Sequence, residues 1–64
     1  MPRKFWFTFK YTVPNGEALC QFSAEMPGLP AEEDIKALQQ IVRDRFNLPP
    51  TKEIILINSQ ELRL

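Results

Sequence analysis

Phe5-Trp6-Phe7-Thr8-Phe9-Lys10-Tyr11-Thr12-Val13 and Ala18-Leu19-Cys20-Gln21-Phe22-Ser23-Ala24, on either side of Asn15-Gly16, are the stretch that decides the fold. Both runs alternate apolar and polar residues, the period-two signature of a strand with one buried face. Asn-Gly is the preferred pair for a two-residue type I′ turn, whose central residues both need positive φ. Together they predict a β-hairpin within residues 4–26. With Asn15-Gly16 as the loop, Val13 pairs with Ala18, Tyr11 with Cys20, Phe9 with Phe22, Phe7 with Ala24 and Phe5 with Met26. The other face pairs Thr12 with Leu19, Lys10 with Gln21, Thr8 with Ser23 and Trp6 with Glu25. Every pair on the first face is apolar or aromatic, so this face is assigned to the core.

Downstream of the hairpin, Met26-Pro27-Gly28-Leu29-Pro30 forbids continued pairing and marks a turn. A helix is expected next, with Pro30 at its first position. Glu32, Glu33 and Asp34 suit its N-terminal dipole, and Arg43 and Arg45 its C-terminal end. Ala31, Ile35, Leu38, Val42 and Phe46 form one apolar stripe, which covers the Phe face of the hairpin. Asn47 reads as a left-handed cap, and Pro49-Pro50 stops the helix. Glu32, Lys36, Gln39, Gln40 and Arg43 read as a solvated helix face, with Glu32 and Lys36 at i, i+4 spacing.

Lys52 to Ile57 reads as a third strand around Ile54-Ile55-Leu56-Ile57, apolar on both faces and therefore internal or covered on its outer side. Asn58-Ser59 reads as a turn, after which residues 61–64 form a short fourth strand or a tail. The expected architecture is α+β: a β-β-α-β two-layer sandwich with one helix on one face of a mainly antiparallel sheet. The third strand should run parallel to the second and lie beside the first, in order 2-1-3 through a right-handed crossover.

At 64 residues the chain has room for a single domain, spanning 1–64. Its 44% hydrophobic content suffices for a packed core. Eight basic and eight acidic residues give zero formal net charge, which offers no global attraction to nucleic acid or anionic membrane. No apolar run approaches the roughly 18 residues of a membrane span, and no signal-peptide pattern is seen, so the expectation is a cytoplasmic protein. The single cysteine, Cys20, falls on the core face and reads as a buried thiol in a reducing compartment.

The chemical inventory points away from catalysis. Without histidine, and with one cysteine and two glycines, the chain offers no Ser/His or Cys/His arrangement, no zinc ligand set and no phosphate-cradling loop. The expectation is a non-enzyme without cofactor or metal. Glu32-Glu33-Asp34 reads as a dipole-matched helix start rather than a carboxylate pair.

Candidate binding residues therefore lie on the outer hairpin face, where Lys4, Trp6 and Lys10 project together. Leu19 joins them there, with Ile55 and Ile57 completing an apolar patch if the third strand presents them to that side. Ile41 and Ala37 lie around the helix from the core stripe as a further candidate surface. The first functional expectation is a protein-binding module using the outer sheet face or a strand edge, engaging a protein partner or a second copy of itself. The alternative is a single-stranded nucleic-acid binder using Lys4, Trp6 and Lys10, with bases stacking on the ring and lysines holding phosphates.

Phe9 to Phe22 around Asn15-Gly16, Met26-Pro27, Glu33-Asp34-Ile35 and Ile54 to Asn58 give the chain a pattern that resembles small uncharacterised phage and prophage proteins of β-β-α-β order. This resemblance implies a phage-related origin. It implies no particular activity and transfers no functional residues.

Overall fold

A computed structural model describes residues 3–62. Three strands and one helix follow in the order β1 (Arg3–Val13), β2 (Gly16–Met26), α1 (Glu32–Arg45) and β3 (Ile55–Leu62). The sheet order is β2-β1-β3, and β1 is antiparallel to both neighbours, so β3 runs parallel to β2. The α+β class, strand order and strand directions are those expected from the sequence.

Alternation along β1 sets the core. Phe5, Phe7, Phe9 and Tyr11 are buried, together with Cys20 and Met26 from β2, Leu38 and Val42 from α1, and Ile54 just before β3. Phe22 stacks against Phe9 with ring centroids 5.7 Å apart. Leu38 and Val42 lie in the same cluster as the Phe row and mark the buried side of the helix. Arg3 and Glu61 close the far end of this face. The Arg3 Nε donates to Glu61 Oε2 at 2.7 Å, and the guanidinium lies over the Phe5 ring. Hydrogen bonding to Glu61 raises the Arg3 pKa above its ordinary value.

Hairpin register differs from the sequence expectation by two positions. Val13 pairs with Gly16, Tyr11 with Ala18, Phe9 with Cys20, Phe7 with Phe22, Phe5 with Ala24 and Arg3 with Met26. Pro14 and Asn15 form the turn. Proline holds φ near −65°, which excludes the type I′ geometry at these two positions, and the only positive φ here is that of Gly16, at 142°. Because the slip is even, no side chain changes face; only its cross-strand partner changes.

The helix begins later than expected: Pro30 precedes Ala31, which is the N-cap, and Glu32 is the first helical residue. Ala31 has no side-chain acceptor. Asp34 compensates by accepting the Ala31 N–H at 2.9 Å, in line with the expected acidic first turn. At the other end Asn47 adopts φ 57°, as expected for a left-handed cap. Leu48 N–H donates to the Arg43 carbonyl at 2.8 Å and Asn47 N–H to that of Asp44 at 3.4 Å, the paired bonds of a Schellman ending. Phe46 does not complete the buried stripe: as the C-cap residue it is 43% exposed, although its ring meets Tyr11 at 6.0 Å. Ala31, at the opposite end of that stripe, is exposed as well.

Two helix residues assigned to solvent have structural partners. Gln39 Nε2 donates to the Ile54 carbonyl at 2.7 Å, and Arg43 Nε to the Lys52 carbonyl at 2.8 Å. These bonds satisfy carbonyls of the segment that delivers the chain to β3. Lys36 and Glu32 form the expected i, i+4 ion pair at 3.6 Å.

The third strand is a single edge strand, not an internal one. It starts at Ile55 rather than Lys52 and continues through Asn58 and Ser59, so no turn separates a fourth strand there. A bulge accounts for this continuation: Leu56 pairs with Phe9 and Asn58 with Thr8, leaving Ile57 as the extra residue. The free edge of β1 supplies ladder partners that outweigh the turn preference of Asn-Ser. Positions 63–64 of the proposed fourth strand lie outside the described residues, as do residues 1–2.

Positive φ at Gly16 alone predicts unequal responses of the two turn residues. Nothing lies within 4 Å of a Cβ added at Gly16, so the cost of Gly16→Ala is conformational. Urea unfolding should show Gly16→Ala destabilised by about 1 kcal/mol or more, and Asn15→Ala changed by no more than about 0.5 kcal/mol. Equal losses would indicate the type I′ turn instead.

Candidate functional site

With Phe5, Phe7, Phe9 and Tyr11 of β1 in the core, Lys4, Trp6, Thr8 and Lys10 occupy the opposite face of the central strand. Its neighbours build that face in rows. Leu19, Lys10 and Ile55 form one row, Gln21, Thr8 and Asn58 the next, then Ser23, Trp6 and Gln60, and finally Glu25, Lys4 and Leu62.

Trp6 is half-buried at the centre of this face, between Ser23 and Gln60. The sequence reading set it opposite Glu25; the register puts Lys4 there. Lys10 Nζ lies 3.3 Å from Glu17 Oε2. Each lysine therefore has a carboxylate as an ion-pair partner or as its cross-strand neighbour, and the outer face lacks a run of uncompensated positive charge. Thr8 is the one buried polar residue among the described residues, at 7% exposure, and its hydroxyl accepts from the Gln21 side chain at 3.5 Å.

Ile55 is 39% exposed and faces Lys10, as the outer-face reading expected. Leu19 is 63% exposed at the far end of the same row. Ile57 is 47% exposed at the bulge and opposes no β1 residue. Because the polar row of Gln21, Thr8 and Asn58 lies between Trp6 and the Leu19–Ile55 row, the apolar residues do not form one continuous patch. The face is a mosaic. Ile41, 51% exposed, and exposed Ala37 lie on the helix, apart from it.

Sequence reasoning missed the flanks of Trp6. Asn58 and Gln60 reach this face only because the bulge at Ile57 shifts the register of the strand after it. Without the extra residue Ile57 would face Thr8, and Ser59 would face Trp6. Ile55 to Leu62 is an apolar block followed by a polar one, so neither the continuation of the strand nor its bulge is marked by alternation.

Among the described residues, no group of three or more His, Cys, Asp or Glu side chains is placed to hold a metal ion, and no helix is long and apolar enough to cross a membrane. Cys20 is buried, as expected from its strand face. No protein-family model, curated protein or solved structure matches the chain, so the likeness to phage and prophage proteins stays one of residue pattern.

Half-burial of Trp6 on an open face predicts intermediate solvent access. In the folded protein, acrylamide should quench its fluorescence less than in the urea-unfolded chain, and clearly more than for a core tryptophan. Quenching as weak as that of a buried indole would place Trp6 under cover.

Proposed function

We propose that this chain is a small non-enzymatic protein-binding module of phage or prophage origin, presenting the outer face of its sheet to a protein partner. The reading takes the molecule as a two-layer sandwich in which α1 covers the inner face and leaves the outer one available. The observation that carries it is the placement of Trp6, half-buried on the central strand and on the side away from the core. Tryptophan is among the residues most enriched at the energetic centres of protein interfaces, because one ring supplies a large contact area at small entropic cost. Around it, amides, hydroxyls, ion-paired charges and separated aliphatic residues give the mixed composition of a non-obligate interface.

Nucleic-acid binding through Lys4, Trp6 and Lys10 ranks second. Their alignment along one strand favours it, but single-strand binders combine stacking rings with an electropositive groove. Here Glu17 and Glu25 offset the positive charge. A cytoplasmic setting, with Cys20 kept reduced, belongs to the same proposal.

Trp6→Ala tests the reading. Circular dichroism should show the fold retained, and affinity capture from a host lysate treated with nuclease should show the main protein partner weakened by about 2 kcal/mol, roughly thirtyfold in Kd. Unchanged capture would remove the outer face from consideration. Loss of the captured material on nuclease treatment, with oligonucleotide binding that falls steeply with salt, would favour the second reading.

A further inference from the structure

We propose that β2 pairs with β2 of a second copy of this chain, joining two sheets edge to edge into one six-stranded sheet. The inference rests on the strand-edge part of the binding-module reading and names the occupant of that edge.

The two edges of the sheet are unlike. β3 is interrupted by the bulge at Ile57, a device that spoils edge pairing. β2 runs for eleven residues, Gly16–Met26, in unbroken register with β1 and contains no Pro, Lys or Arg. Its other edge pairs with no strand among the described residues. Proline, inward lysine, bulges and short length are the usual means of blocking edge association, and β2 has none of them. Zero formal net charge removes the long-range repulsion between copies.

Charge and shape choose both the occupant and the register. An antiparallel β2–β2 contact is related by a two-fold axis, so each register centres on one residue facing its own counterpart. Centring on Gln21 sets Glu17 against Glu25 twice. Centring on Phe22 sets Leu19 against Glu25. Centring on Cys20 leaves Leu19 facing Gln21. With Leu19 facing its counterpart, Glu17 meets Gln21, Ala18 meets Cys20 and Gly16 meets Phe22. No carboxylates oppose one another and Glu25 lies beyond the paired segment. Leu19, 63% exposed in the single chain, gains an apolar partner on the outer face. On the inner face, half-buried Phe22 gains a neighbouring strand beside its stack on Phe9. The same face that carries Trp6 then continues from one copy to the next.

Cysteine placement reads this register directly. In a Cys20→Ala background, Leu19→Cys brings two thiols into a directly opposed pair, within the 4.4–6.8 Å Cα separation of a disulfide. Gln21→Cys leaves them about 13 Å apart along the strand, four residues of rise, and beyond bridging. Sedimentation equilibrium of the unmodified protein should give twice the mass of one chain at sub-millimolar concentration. Mild oxidation should convert the Leu19→Cys variant predominantly to disulfide-linked dimer and the Gln21→Cys variant only in traces, and Leu19→Lys should shift the unmodified protein towards monomer. A monomer mass at all concentrations, or equal cross-linking of the two variants, overturns the proposal. If the dimer is absent while capture still depends on Trp6, this inference alone fails. If the dimer is present and capture ignores Trp6, the outer-face reading fails and the edge pairing stands.

Discussion

Everything in this molecule depends on the alternation of β1. A strand places successive side chains on opposite faces, so a row of Phe5, Phe7, Phe9 and Tyr11 gathered on one face puts Lys4, Trp6, Thr8 and Lys10 on the other. Because β1 is also the middle strand, its backbone is paired on both sides and its neighbours are held to the same two faces. Leu38 and Val42 of the helix and Ile54 belong to the same buried cluster as the Phe row. Gln39 and Arg43 tie the helix to the segment that leads into β3 by donating to its carbonyls. On the outer face Leu19, Gln21, Ser23, Asn58 and Gln60 are exposed.

Much of this was legible in the sequence because it rests on parity. Face assignment survives a register error of two, which is why the Phe row, Cys20 and Met26 are buried as expected although their cross-strand partners differ. The turn sits one residue before Asn15-Gly16 because Pro14 has no N–H to donate across the ladder to Glu17, a pairing that a turn at Asn15-Gly16 requires. Helix caps were read well at Asn47, where local chemistry decides, and less well at Pro30 and Phe46, where the approach to the sheet decides.

Less could be read of β3, for a reason with functional consequences. Asn58-Ser59 has strong local turn preference, yet the unpaired edge of β1 draws those residues into the ladder. The bulge at Ile57 has no signature in composition or periodicity. It nevertheless determines that Asn58 and Gln60, rather than Ile57 and Ser59, stand beside Thr8 and Trp6. The outer face is consequently polar around its one tryptophan, which stands between Ser23 and Gln60.

Hydroxyl-radical footprinting read residue by residue along β1 tests the two-faced strand most directly, since aromatic rings react according to their solvent access. The account predicts strong labelling of Trp6 between protected Phe5 and Phe7, with Phe9 protected as well. It predicts further that a bound protein partner suppresses the Trp6 signal while leaving the phenylalanines unchanged. Labelling of Phe5, Phe7 and Phe9 at a level comparable to Trp6 would contradict it, because the inner face would then not be the core and the outer face would hold no special place.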